Sequence, residues 1–211
     1  MACTSMVFAE SMSIIFLDID GVLMPDRFVN PLNRMIREKL VHLFGERSYT
    51  ELEWRIAQSY FLSRPAIQNL ESLIERLSRV APVGIVLSSA WRLDGTLEQI
   101  RDQMFVNESF SRWIIDKIPD DDWWRITKGE KPLSLRGRAQ QIEYWLLENV
   151  STWDVSHFVI LDDVDEGLSE RFPGQFIRID DLLSEGDIEK VYEVLNFERI
   201  RTVFPSNANA R

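Results

Sequence analysis

The chain has 211 residues, of which 45% are hydrophobic and 27% charged, the make-up of a globular protein large enough for one domain with a sizeable core and not of a disordered chain. Lys and Arg number 24 against 34 Asp and Glu, a formal net charge of -10, which disfavours unspecific attraction to nucleic acid or an anionic membrane. The single cysteine, Cys3, excludes an internal disulfide, no apolar run approaches the ~20 residues of a membrane span, and "MACTSMVFAE" lacks the basic start of a secretory signal, so a cytoplasmic setting is expected.

In chain order, "SIIFLD" at 13–18 reads as a buried strand. Two helical stretches follow, "PLNRMIREKLVHLF" and "YTELEWRIAQSYFL", and then a third, "PAIQNLESLIERLSRV". In the third, Ile67, Leu70, Leu73, Ile74 and Leu77 recur at helical spacing. "PVGIVLSS" at 82–89 is a second buried strand, "TLEQIRDQMF" a helix, and "DKIPDDDWWRITKGEKP" has the acidic, Pro and Gly content of an irregular flap. The helix "RGRAQQIEYWLLENV" leads to a strand "HFVILDD" at 157–163, a weaker edge strand "QFIRID" at 175–180, and a last helix "EGDIEKVYEVLNF" with Ile188, Val191, Val194 and Leu195 on one face. Continuous apolar runs alternating with helices predict an α/β fold around a parallel sheet. One domain is expected over 12–198, with a helical insert at 24–63, a flap at 93–134 and a tail at 199–211.

Three of the apolar runs end in functional groups: Asp18 and Asp20, Ser88 and Ser89, Asp162 and Asp163. Open α/β sheets bind ligands at the carboxyl ends of their strands. Asp18 and Asp20, two apart, can face one locus, and Gly21 permits a turn that other residues resist. Carboxylates gathered there repel, at roughly 4 kcal/mol for a pair ~4 Å apart at an effective dielectric of ~20. A hard divalent cation such as Mg²⁺ relieves that repulsion, and all-oxygen ligands select it. "DDVDEG" lacks the alternating acids and the closing Glu of a calcium loop. Cys3 has no Arg in the "CTSMVFA" that would be its phosphate loop, and neither His42 nor His157 stands beside a motif in need of a base, so none of the three is expected to be catalytic.

The order "FLDIDGVL", "IVLSSAWR", "RAQQIEYWL", "VILDDVD" resembles the four motifs of the haloacid dehalogenase-like (HAD) phosphohydrolases. "VLSSxWR" with "ILDD" further resembles a subgroup of small bacterial HAD domains, some associated with nucleic-acid repair. The resemblance implies a three-layer Rossmannoid fold with small cap inserts and hydrolysis of phosphomonoesters with Mg²⁺. By motif position, Asp18 would be the nucleophile that becomes an aspartyl-phosphate, and Asp20 the acid and then the base. Ser88 would bind a phosphoryl oxygen, with Ser89 as its fallback. Arg138 would be the motif's cation, with Lys131 and Arg136 as competitors. Asp162 and Asp163 would hold Mg²⁺ with Asp18 and the Asp20 carbonyl, Asp163 directly.

Substrate contacts are expected from Ser89, Trp91 and Arg92, and from Trp123, Trp124 and Lys131 of the flap. Two adjacent tryptophans near Arg125, Lys128 and Lys131 can stack on an aromatic leaving group and steer an anion. The expected substrate is thus a phosphorylated small molecule or phosphoprotein, aryl phosphate or phosphotyrosine first and a nucleic-acid end second. A catalytically idle HAD-fold binding module is the reading from another class.

Overall fold

The computed structural model describes residues 11–25, 29–119 and 137–195, with no side-chain description at 29–31. Five strands, β1 (Met12–Leu17), β2 (Val83–Leu87), β3 (Ile114–Lys117), β4 (Val155–Asp162) and β5 (Phe176–Arg178), form one sheet in the order β3-β2-β1-β4-β5. Every pairing is parallel. The helices are α1 (Val29–Phe44), α2 (Glu51–Ser59), α3 (Arg64–Leu77), α4 (Leu97–Gln99), α5 (Arg138–Asn149), α6 (Leu168–Arg171) and α7 (Glu185–Val194).

The sheet is buried on both faces because its central strands carry consecutive apolar residues, Ile14–Leu17, Ile85–Leu87 and Phe158–Leu161, and not alternate ones. Ile15, Leu17, Ile85, Leu87, Val159 and Leu161 turn to one side, against Leu70, Leu73, Ile74 and Leu77 of α3 and Ile188 and Val191 of α7. Ile14, Phe16, Val86, Phe158 and Ile160 turn to the other, against Ala139, Ile142, Trp145 and Leu146 of α5. Phe16 meets Trp145 and Phe158 edge to face, with ring centroids 5.4 and 5.9 Å apart. The result is a three-layer α/β sandwich.

Helices start where their sequences carry caps. Ser63 accepts from the Ala66 N–H ahead of α3, which has Pro65 in its first turn, and Thr50 and Ser184 close capping boxes with Glu53 and Asp187. The insert after β1 is a helical pair, α1 and α2, packed on its own small cluster of Ile36, Leu40 and Ala57. Among the described residues no helix is long and apolar enough to cross a membrane.

The helix expected at "TLEQIRDQMF" is present as α4 running on through a π turn (Ile100–Met104), and a 3-10 turn (Ser109–Trp113) then leads into strand β3, which the sequence pattern does not announce. β3 escapes a pattern search because it is four residues long, lies at the sheet edge and includes Asp116 and Lys117. Asp116 is tolerated there because its carboxylate accepts the Trp145 indole N–H at 2.7 Å.

Candidate active site

Parallel register alone brings the site together. Leu17 is level with Leu87 of β2 and Leu161 of β4, and beyond it the Ser88 N–H bonds the Leu17 carbonyl while the Asp18 N–H bonds that of Leu161. Asp18, Ser88 and Asp162 therefore stand side by side at the carboxyl edge of the three central strands. The N–H groups of Val22, Leu23 and Met24 all reach the Ile19 carbonyl, and that of Gly21 bonds the Met24 carbonyl, so the chain turns sharply beneath Asp20. Gly21, at φ +71, is required twice: a Cβ there would be left-handed and would lie 2.3 Å from Asp163 Oδ2.

One carboxylate oxygen each from Asp18, Asp162 and Asp163 lies within 4.8 Å of the other two. Burial pushes the Asp18 carboxyl up to about 7, and the neighbouring Asp162 and Asp20 add to the rise, against the opposing pull of Arg138. Asp162 is raised too, again chiefly by burial. Arg138 enters from the first turn of α5. Its Nη1 bonds Asp162 Oδ2 and stands 3.5 Å from Asp18 Oδ2. Burial works against its charge, but Asp18 and Asp162 together hold its pKa above the ordinary value. Asp162 is held on both oxygens, since its Oδ1 accepts the Val164 N–H at 3.0 Å. The donor set is all oxygen, clustered and only partly neutralised, which fits a hard divalent cation.

The two serines divide. Ser88 Oγ is buried with no hydrogen-bond partner among the described residues, as a donor waiting for a ligand oxygen would be. Ser89 Oγ accepts the Trp91 N–H at 3.4 Å, capping the 3-10 turn Ala90–Leu93. Of the three basic candidates, Arg138 stands at the carboxylates, while Lys131 and Arg136 lie outside the described residues, as do Trp123, Trp124, Arg125 and Lys128.

Trp91 and Arg92 are both turned inward and engaged with the protein itself. The 3-10 turn after Ser89 directs the chain inward, and both side chains are buried. Arg92 donates to the carbonyls of Ser88, Ser89 and Ile118 at 3.0–3.1 Å and to Gln141 Oε1 at 2.9 Å, tying the ends of β2 and β3 to α5. Its fork of donors suits several carbonyls at once, a structural use that "SSAWR" alone does not reveal. Arg92→Ala strands those carbonyls, and a drop in folding stability of about 3 kcal/mol or more is expected in urea unfolding. A loss below about 1 kcal/mol would mean water replaces the guanidinium.

A parallel α/β sandwich with an Asp–x–Asp turn after its central strand and a second Asp pair on the neighbouring strand defines the class of HAD-like phosphohydrolase folds. The model of the family "HAD domain in Swiss Army Knife RNA repair proteins" matches residues 14–185, and the chain belongs to that family. No curated protein matches the sequence.

Proposed function

We propose that the protein is a Mg²⁺-dependent phosphomonoesterase that works through an aspartyl-phosphate on Asp18. The observation that carries this reading is the alignment of Asp18, Ser88 and Asp162 at one sheet edge with Arg138 Nη1 3.5 Å from the Asp18 carboxylate. An Asp18 oxygen attacks phosphorus and the bond to the leaving oxygen breaks, the proton coming from Asp20. Water then attacks the phosphorus, Asp20 takes its proton, and Asp18 is released. Ser88 Oγ and Arg138 bind phosphoryl oxygens, the donor and the cation expected at developing negative charge. Asp163 would be the direct cation ligand with Asp18, since Asp162 already accepts from Arg138 and the Val164 N–H. The bound Mg²⁺ would neutralise the carboxylates and phosphoryl charge.

The purified protein is expected to release phosphate from 4-nitrophenyl phosphate with Mg²⁺, to lose that activity in EDTA and to regain it on adding Mg²⁺ back. Activity that persists unchanged in EDTA would remove the cation from the reading. Two substrate classes remain, aryl phosphate with phosphotyrosine and the phosphorylated end of an RNA. The first rests on Trp123 and Trp124, and the second is favoured by the family's RNA-repair description and opposed by the net charge of -10. Comparing kcat/KM for a phosphotyrosyl peptide and for RNA oligonucleotides with a 3′ or 5′ phosphate separates them.

A further inference from the structure

We propose that Trp91 is a positioning residue that fixes the orientation of the Asp20 carboxyl group for proton transfer; this deepens, and rests on, the hydrolase reading above. The Trp91 indole Nε1–H donates to Asp20 Oδ2 at 3.0 Å. Trp91 is fully buried, and its ring lies parallel to Phe105, 6° between planes and 5.8 Å between centroids. The Arg55 guanidinium of α2 sits 5.1 Å from its ring centre and is itself held by Asp94 at 2.7 Å. The indole is thus clamped by packing on residues far from Asp20 in sequence.

A buried indole N–H needs an acceptor, and a carbonyl would serve as well as a carboxylate. Here it takes a carboxylate that must hold and transfer a proton. The indole can only donate, so its N–H holds Oδ2 as an acceptor and fixes the orientation of the carboxyl group from which Asp20 exchanges its proton. When the ester bond breaks, the electron pair of that bond goes to the leaving oxygen, and the Asp20 proton goes with it. In the second step Asp20 takes a proton from the attacking water. The backbone turn at Ile19 sets where Asp20 stands, and Trp91 sets which way its carboxyl group faces. Trp91, three residues beyond Ser88 on the next strand's loop, thereby links the second motif to the first.

The test uses leaving groups that differ in their need for a proton. Trp91→Phe keeps an aromatic ring beside Phe105 and removes the N–H. As a second variant, 3-benzothienylalanine at position 91 keeps the indole's shape with sulfur in place of N–H, which covers the case in which the Phe variant packs poorly. kcat/KM is measured for 4-nitrophenyl phosphate, whose phenolate departs without a proton, and for glycerol phosphate, whose alkoxide does not. Removing the N–H is expected to cost at least about tenfold more on the alkyl ester than on the aryl ester. An equal loss on both esters, or none, with either variant folded, overturns the positioning role and leaves the hydrolase reading standing. A wild type that cleaves neither ester overturns both.

Discussion

Asp18→Asn is expected to lose phosphatase turnover by at least about a thousandfold on every ester the wild type cleaves, because the amide removes the nucleophile at nearly constant volume. The same change is expected to stabilise the cation-free protein at neutral pH. The Asp18 carboxyl titrates near 3.8 in ordinary surroundings and is pushed up to about 7 here, chiefly by burial. Between those values the folded form keeps a proton that the unfolded chain has lost, so wild-type stability falls as pH rises through that window and stays low above it. An amide cannot ionise. The gain of Asp18→Asn is therefore absent at low pH and complete above about pH 7, where at about 1.4 kcal/mol per pH unit it amounts to a few kcal/mol. Urea unfolding in EDTA at about pH 4 and pH 8 measures it. Adding Mg²⁺ at the higher pH is expected to narrow or reverse the order, since the ion binds the wild-type carboxylate better than the amide. A variant less stable than wild type at pH 8 in EDTA would show that the Arg138 contact outweighs burial, and the charge balance drawn for the site would be wrong.

What made the site legible was its dependence on register. In a parallel sheet the ends of apolar runs fall at one edge, so Asp18, Ser88 and Asp162 could be grouped from "FLD", "VLSS" and "ILDD" without any knowledge of the connections between them. The helices were legible for a similar reason, since Ile67, Leu70, Leu73, Ile74 and Leu77 keep one periodicity over a whole helix and all are buried. Direction was not legible. Trp91 and Arg92 follow the serines as closely as Asp20 follows Asp18, but a 3-10 turn points them inward, and no residue type in "SSAWR" announces that turn. The strand β3 was missed because Asp116 and Lys117 take their partners from distant segments: Asp116 from Trp145, and Lys117 from the carbonyls of Arg92 and Gly95 at 2.6 and 2.7 Å. The division of labour between Asp162 and Asp163 likewise turns on Arg138 and the Val164 N–H, neither of which adjacency in sequence can place.

Gly21→Ala is expected to raise the Mg²⁺ concentration for half-maximal activity by tenfold or more, with a loss of stability beside it. The new methyl would fall 2.3 Å from Asp163 Oδ2, 2.4 Å from its Cγ and 2.7 Å from its Cβ. No side-chain contact survives at such separations, so Asp163 has to swing away or the turn below Asp20 has to open. Swinging away removes a carboxylate from the cluster of three, and opening the turn breaks the bond from the Gly21 N–H to the Met24 carbonyl at 2.8 Å. Part of the stability loss has nothing to do with the site, because alanine at φ +71 is left-handed at a cost of about 1–2 kcal/mol. Gly45 supplies the control for that part. It has φ +78 and nothing within 4 Å of its would-be Cβ, so Gly45→Ala bears the same backbone strain with no clash. The Gly45 variant is expected to unfold at a lower urea concentration than wild type with an unchanged Mg²⁺ requirement. The Gly21 variant is expected to lose more stability and to shift that requirement as well. Equal Mg²⁺ curves for the two variants would count against Asp163 as a ligand of the cation, or show that the turn opens and leaves Asp163 in place.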